Sequence, residues 1–427
     1  MNTSPLAIIF NYQKTGKYAL NVLAGSLLTR YSLRKMPVYF SKSTQELMAD
    51  IKTAAALHEN VIVLWSFYSP QFTGIRESIS AIKNELRFDN VIHLAGGVHA
   101  TAEPWQTLNA GFDYVAIGEG EQIICDFAEA IANGNNLHNV RGIAYINEGM
   151  LMKNGKGKTI DLNDYPPCAS RHRKFGPIEI TRGCIYACKF CQTPYINKAR
   201  FRHRSIENIA HYIRIMSANG LRDYRFLTPT SFSYGSQDES VNIDAIEQML
   251  ATVRNIIGGQ KRIFYGTFPS EIRPEHISEK TLAVLKKYVD NDNVIIGGQS
   301  GSQTVLDESR RGHDIEAIVN AVRLSVKFGF RPNVDFLFGL PGESRRDAQL
   351  TIDLANKLAD MGAKIHNHTF MPLPGTPFRH EAAGNIEEPV KQQITEMTAR
   401  GKAYGQWNSQ IIIARELQDL LEKTTSD

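Results

Sequence analysis

Five cysteines occur in 427 residues, and three of them, Cys184, Cys188 and Cys191, fall within eight positions of the stretch RGCIYACKFCQTP (182–194). Thiolates are soft ligands that select zinc, copper or iron–sulfur clusters. Structural zinc takes four protein ligands, commonly as two close pairs, whereas here a triplet stands with no second pair. Cys168 or His172 could complete a tetrahedron. A cubane cluster held by three thiolates instead keeps one iron open to an external ligand, and that open position is where chemistry would occur.

The elements that must position the triplet are read from hydrophobic periodicity. From residue 5 to about 130 short apolar runs alternate with helical stretches: LAIIF, MPVYF, NVIVLW, NVIHLAGG and DYVAIGEGE read as strands, with helices near 18–31, 44–57 and 74–86. This rhythm predicts an open, mostly parallel sheet with helices on both faces, whose ligands lie beyond the carboxyl ends of the strands. RGIAYINEGMLMKNGKGKTIDL reads as a hairpin with turn glycines, leading through DYPPC into a second domain. There PIEIT, DYRFLT, RIFYGTF, NVIIGGQ, NVDFLFGL and KIHNHTF alternate with helical segments. Six such units suggest a partial barrel, although spacing alone leaves a second open sheet possible. EPVKQQITEMTARGKAYGQW and IIIARELQDLLEK read as helices that pack against it.

The predicted α/β chain is therefore a doubly wound Rossmann-like parallel sheet over 1–140, a hairpin and linker over 141–174, a partial (β/α)6 TIM-type barrel over 175–380 and a helical C-terminal segment over 381–427. Gly183, just ahead of Cys184, places the triplet on the loop after the first barrel strand.

At this point the chain resembles a known family. CX3CX2C, here CIYACKFC, is the signature of the radical S-adenosylmethionine enzymes, and the resemblance covers about residues 175–380. It implies a [4Fe–4S] cluster on Cys184, Cys188 and Cys191 whose open iron chelates S-adenosylmethionine, and reductive cleavage to a 5′-deoxyadenosyl radical. Phe190 matches the apolar position near the adenine. GGQSGSQTVLDESRRG (297–312) is similar to a segment of methylthiotransferase-like and cobalamin-dependent members, which implies Gln299, Ser300 and Ser302 as contacts to the ribose and methionine end and Arg310 or Arg311 as the carboxylate's partner. VDFLFGLPGES (334–344) matches the later strand and glycine turn, so Gly339 and Gly342 either approach the adenine or only form a turn. Many members end their second strand in Gly-Glu, but FLTPTSF (226–232) stands here, so the partner of the methionine amino group has no candidate. RFRHRS (200–205) reads as either a phosphate contact or a structural segment after the cluster loop.

LAGGVHATAEP (94–104) and FDYVAIGEGE (112–121) look like the cobalamin-binding domain that precedes the radical domain in one branch of the family. The resemblance implies Gly96, Gly97 and His99 along one corrin edge, Gly118, Glu119 and Gly120 along another, and Ser66 and Phe67 from SFYSP (66–70). No lower cobalt ligand is available after the first strand, because NYQKTGKYALN lacks the Asp-X-His-X-X-Gly pattern and the first histidine is His58.

Together these features imply a cobalamin-dependent radical methyltransferase acting on an unactivated carbon. One S-adenosylmethionine would methylate cobalamin, a second would be cleaved, and the substrate radical would capture the methyl. Its partners would be a small-molecule, tetrapyrrole, lipid or peptide substrate and a one-electron reductant such as flavodoxin or ferredoxin. Tyr12, Tyr68 and Tyr234 lie at expected strand ends and are either substrate contacts or packing residues. Rival readings are rearrangement or cyclisation without net methylation, RNA or protein methylthiolation, and a non-enzymatic cobalamin or cluster sensor. Methylthiolating relatives bring an amino-terminal cysteine set, while the first 124 residues here contain none. The net charge of +4, from 48 Lys and Arg against 44 Asp and Glu, gives no general nucleic-acid footprint, and no dedicated nucleic-acid domain is expected. The start MNTSPLAIIFNYQKTGK shows no secretory pattern, apolar runs fall short of the roughly 20 residues of a membrane span, and cysteine usage fits a reducing cytoplasm. Cys125 reads as a buried apolar residue and Cys168 as a loop residue.

Overall fold

The computed structural model describes residues 5–13 and 15–424. The first four residues, Lys14 and the last three residues, included above in the start and the tail, lie outside the described residues. The chain divides into two compact units that meet in sequence at Gly176 and Pro177.

In the first unit β1 (Leu6–Asn11), β2 (Val38–Ser41), β3 (Asn60–Ser66), β4 (Val91–Gly96), β5 (Tyr114–Ala116), β6 (Ile143–Asn147) and β7 (Met150–Lys153) form one sheet in the order β2-β1-β3-β4-β5-β6-β7. The first five are parallel, and β6 and β7 are antiparallel. β1 is buried along its whole length, which is why LAIIF is a continuous apolar run and not an alternating one. Leu6, Ile8 and Phe10 share a core with Leu20, Leu27, Ile123 and Phe127 from the helices Lys17–Leu27 and Gly120–Ala132. The hairpin expected as a linker is part of this sheet: Val115 and Ala116 pair with Ala144 and Ile143. Its inner strand covers an edge that β5 would otherwise leave open. Cys125 is buried, and burial pushes its thiol up to about 12.

The second unit contains β8 (Ile178–Glu179), β9 (Thr181–Arg182), β10 (Arg202–His203), β11 (Asp223–Leu227), β12 (Arg262–Phe264), β13 (Asn293–Gln299), β14 (Arg331–Phe338), β15 (Lys364–Thr369) and β16 (Ala403–Tyr404). Parallel strands run in the order β12-β11-β8 and β13-β14-β15-β16, while β9 and β10 form an antiparallel pair. A parallel bridge between Ile272 and Ile296 links the segment after β12 to β13. Parallel strands alternating with helices match a radical-SAM partial barrel. Helices in this unit start on caps: Ser205, Asn242, Ser278, Asp314 and Ser344 each accept a backbone N–H of the first helical turn. The C-terminal segment is not wholly helical. The helix Glu388–Ala399 ends before Gly401, whose φ is 72°, and Ala403–Tyr404 adds a further strand beside β15. Short runs such as AY carry no period of their own, which is why the sequence pattern does not reveal this strand. No described helix is long and apolar enough to cross a membrane.

The basic run 200–205 has a structural role in this unit. Arg204 is only 2% exposed, with Nε donating to the Glu179 carbonyl (3.0 Å) and Nη1 to Asn208 Oδ1 (2.7 Å). Tyr234, also buried, donates its hydroxyl to the Arg204 carbonyl (2.8 Å). Arg204→Ala should lower the unfolding free energy of this unit by about 3 kcal/mol, since it strands buried acceptors of charge-assisted bonds. Urea denaturation followed by circular dichroism checks this, and a loss under about 0.5 kcal/mol would return the arginine to a surface role.

Candidate functional site

The cysteine loop is set by a backbone constraint. Gly183 has φ 82°, and a Cβ there would lie 2.1 Å from the Arg200 carbonyl oxygen, so only glycine fits. Cys184 N–H then donates to the Lys198 carbonyl (3.3 Å), Cys191 N–H to that of Cys188 (3.1 Å), and Lys189 N–H to that of Ser309 (3.1 Å). The three thiols are free, and burial raises Cys184 to about 11 and also raises Cys191. Their sulfurs do not all come within 4.8 Å of one another. A single zinc would need sulfurs roughly 3.8 Å apart, from Zn–S bonds near 2.3 Å. The wider spacing suits a multi-iron cluster, whose ligands sit at separate corners.

Two buried guanidinium groups flank Cys188, itself 5% exposed. Arg311 Nη1 lies 3.4 Å from its Sγ and Arg273 Nη1 4.0 Å. Arg311, 8% exposed, also donates from Nη2 to the Gly297 carbonyl (2.8 Å). Burial opposes its charge, but Cys188, Glu275 and Glu271 offset that, and its pKa lies above the ordinary arginine value. Arg273 bonds Glu275 from Nε (2.5 Å), donates to the Arg311 carbonyl and lies 3.5 Å over the Tyr186 ring. Tyr186 in turn meets His276 Nε2 at 2.7 Å. His313 bonds the Gly298 carbonyl through Nε2 (3.1 Å), and burial beside the two arginines pushes it down to about 3, so it is a neutral donor.

Opposite Arg311 stands Glu271. Its side chain is exposed to solvent. The protein around it and the neighbouring Asp335 push its pKa up to about 8, with Arg311 opposing. A Cβ on Gly297 would lie 2.6 Å from Arg311 Nη2 and 3.3 Å from Glu271 Oε2, so glycine there lets the two side chains approach one another. Both belong to loops at the carboxyl ends of strands, where parallel α/β folds place their chemistry.

The residues expected from sequence fall into different settings. Arg311 is buried at the cysteine, whereas Arg310, with φ 54°, is exposed. Gln299, φ 73°, sits at a register shift of β13 with its Nε2 3.0 Å from the same Gly297 Cβ position. Ser300 and Ser302 are buried and turned toward the helix Arg345–Asp360: Ser300 Oγ meets Thr351 Oγ1 (3.3 Å), and Ser302 Oγ donates to Asp347 (2.6 Å). Phe190 packs with Leu337 on Val305, Leu340, Phe370 and Phe378. Gly339 has φ 73° with Asn385 N 2.7 Å from its Cβ position, Gly342 has φ 81°, and Gly339 N–H donates to Glu343 (2.6 Å). Glu271, Arg273, Glu275, His276 and His313 lie around Arg311 and the cysteine loop although the sequence motifs do not point to them. The one sequence signal for the first four is PSEIRPEH (269–276), which sets three charged residues and a histidine in the segment after a strand.

In the first unit the loops after β1, β3 and β4 close on one another. The Cβ position of Gly16 is 2.4 Å from Ser66 O, and that of Gly97 is 2.8 Å from Phe67 O. The strand order reverses between β1 and β3, the switch point where doubly wound sheets bind ligands. Gly118 has φ 97° and no atom within 4 Å of where its Cβ would lie, and Gly96 none nearer than 3.8 Å, so bare backbone lies open along this edge. Tyr68 is 48% exposed beside it in sequence, while Phe67 is buried. Glu119 accepts from Ile160 N–H (2.9 Å), and Gly120, which opens its helix, packs on Leu23. His99 is 1% exposed, stacks on Phe72 (4.1 Å between centroids) and is pushed by burial to about 4. Its ring therefore supports the loop from within. Tyr12 donates to Asn21 (2.6 Å) under the ammonium of Lys174.

Comparison with known proteins bears on the family and the fold. Residues 178–355 match the model of the radical SAM superfamily. An uncharacterized methyltransferase of Pyrococcus horikoshii is 24% identical over 340 residues, 74% of this chain and 70% of that protein. A tRNA-2-methylthio-N(6)-dimethylallyladenosine synthase of Desulfosudis oleivorans is 29% identical over 223 residues, 51% of this chain and 45% of its own, so the chain spans less than half of that relative. The solved radical S-adenosylmethionine methyltransferase TsrM from Kitasatospora setae, with tryptophan substrate and a SAM analog bound, shares the fold at a TM-score of 0.68 and 18% identity, over 89% of this chain and 76% of its own. Residues 178–355 thus form a radical SAM domain, and the chain is a radical SAM enzyme.

Proposed function

We propose that this enzyme is a cobalamin-dependent radical methyltransferase that methylates an unactivated carbon of a small-molecule, tetrapyrrole, lipid or peptide substrate, with flavodoxin or ferredoxin as electron donor. The observation that carries the reading is the pair Arg311 and Glu271, which face one another across the bare backbone of Gly297 beside Cys188. The guanidinium so placed offers an α-carboxylate its counter-charge, and the Glu271 carboxyl, whose pKa is raised in the empty site, would ionise against an α-ammonium brought beside it. Glu271 would thereby take the role for which the sequence offered no candidate. Cys184, Cys188 and Cys191 would hold the cluster, Phe190 and the Gly339 turn would bound the adenine, and Gln299 would reach the ribose. The bare glycine edges at Gly96, Gly97 and Gly118, with Ser66, would receive the flat face of cobalamin. When bound, the cluster with S-adenosylmethionine supplies a 5′-deoxyadenosyl radical and cobalamin supplies a transferable methyl group. The protein's own work is to fix charge, distance and exclusion of water around them: Arg273 and Arg311 keep positive charge at the cysteine loop, and His313 stays a neutral donor. The fold shared with TsrM, solved with cobalamin and a [4Fe–4S] cluster bound, supports this reading.

Anaerobically purified protein from cells supplied with iron and cobalamin should contain about four irons, the content of one [4Fe–4S] cluster, and about one cobalt per chain. Four irons without cobalt, even after reconstitution, would overturn methyl transfer from cobalamin.

The two adjacent arginines should separate cleanly. Arg311→Ala should cut reductive formation of 5′-deoxyadenosine about 10- to 100-fold, the loss of charge-assisted hydrogen bonds of ~1.5–3 kcal/mol. Arg310→Ala should stay within about twofold, as for an exposed charge. Iron is measured on both samples so that cluster loss is not mistaken for loss of cosubstrate binding. Equal activity in the two variants would remove Arg311 from the site.

A further inference from the structure

A second set of ligating side chains lies in the same unit and adjoins the first through Asp335, the neighbour of Glu271. Asp335 on β14 pairs in register with His366 on β15, and His368 follows two residues later on the same face of that strand. Asp335 Oδ1 is 3.0 Å from His366 Nδ1, which is 3.1 Å from His368 Nε2. Among the described residues this is the one group of three His, Cys, Asp or Glu side chains whose ligand atoms all lie within 4.8 Å of one another.

Hydrogen bonding alone does not account for these contacts. Thr369 N–H donates to Gln410 Oε1 (2.8 Å), which turns the Gln410 amide nitrogen toward His368 Nδ1 (3.3 Å). His368 Nδ1 must then accept, so its hydrogen is on Nε2 and points at His366 Nδ1. That nitrogen has a single lone pair and is left with no hydrogen for Asp335 Oδ1. Placing a hydrogen on His366 Nδ1 satisfies Asp335 but sets two N–H groups against each other, either between the rings or at Gln410. No distribution of protons over the two rings serves every contact, whereas one cation serves the three inward atoms together.

We propose that Asp335, His366 and His368 bind a first-row divalent metal ion. Two imidazoles and a carboxylate are the donor set such ions take, at bonds of ~2.0–2.2 Å, and right-angled bonds of that length put neighbouring donors ~3.0 Å apart. The observed separations of 3.0 and 3.1 Å therefore match two adjacent donor pairs of a five- or six-coordinate ion, the third pair lying within 4.8 Å, with its remaining positions free. The His366 side chain is 27% exposed, so these positions can take water or an oxygen-donor group of a substrate. Supporting contacts hold the ligands in place: the Tyr404 ring stacks on His366 at 4.3 Å and 4°, and Asp335 is nearly fully buried. In the loaded site His368 Nδ1 carries the hydrogen, and a small rotation lets Gln410 Oε1 accept it together with Thr369 N–H.

The test is a Co2+ titration of the full-length chain carrying Cys184→Ala, Cys188→Ala and Cys191→Ala, which removes the cluster thiolates. The expected result is one equivalent of cobalt with weak visible d–d bands, no thiolate charge-transfer band, and displacement by Zn2+. Adding His366→Ala and His368→Ala should weaken binding at least ~100-fold, beyond the effect of losing a supporting contact, while His380→Ala, at an exposed histidine, should change nothing. If the cysteine variant fails to fold by circular dichroism, zinc retained by the cluster-reconstituted wild type after desalting is compared with that retained by the His366→Ala, His368→Ala form. Equal cobalt or zinc with and without the two histidines would overturn the site and leave a metal-free array. Because neither measurement needs cobalamin or a substrate, the outcome is independent of the methyltransferase reading.

Discussion

A guanidinium removed from water stays charged only where its partners offset its lost hydration, and Arg311 has Glu275 and Glu271 nearby and the Cys188 sulfur at 3.4 Å. Much of the second unit follows from keeping this arrangement intact. Gly297 must lack a side chain because Arg311 Nη2 occupies its Cβ position, and Arg273 must reach the Arg311 carbonyl from the preceding loop. His313, pressed between two cations, stays neutral and spends its one N–H on Gly298. Glu271 supplies the opposing carboxyl, and the protein around it together with the neighbouring Asp335 raises its pKa. The loops that hold Cys188, Glu271 and Arg311 are thus fixed to one another by charge before any cofactor is considered.

The parts of the fold that announced themselves were those in which side-chain period and burial agree. LAIIF and NVIVLW are buried on both faces of a parallel sheet, and their uniform apolarity is the direct imprint of that position. The hairpin at 143–153 was legible as a hairpin but not as a member of the first sheet, because an edge pairing leaves no trace in either strand's own pattern. Ala403–Tyr404 was hidden for a similar reason, being two residues whose strand character comes wholly from β15.

The site was legible where chemistry demands a rare residue at fixed spacing. Three cysteines in eight positions meet that condition, and so does the Gly183 turn that presents them. Arg311 could be named only as one of two neighbours, since nothing in RRG states which guanidinium turns inward. Ser300 and Ser302 show the opposite difficulty. Their motif is intact, yet both hydroxyls are engaged by Thr351 and Asp347, residues about 50 positions away that no local reading connects to them.

The second cluster depends on register in the same way. In parallel strands one residue in two faces each side of the sheet, so Gly297, Asp335, His366 and Tyr404, partners across β13 to β16, lie at one level on one face. Ile365 and Thr369, on the other face of β15, are buried as packing requires. A polar row in an enclosed space costs stability unless each member is satisfied. Here the row runs from a glycine that admits Arg311 and Glu271, through a buried aspartate, to two histidines whose protons cannot all be placed. On the proposed readings the first end of the row would meet an amino acid's charges and the other a cation, so one row across this sheet would serve two different ligands.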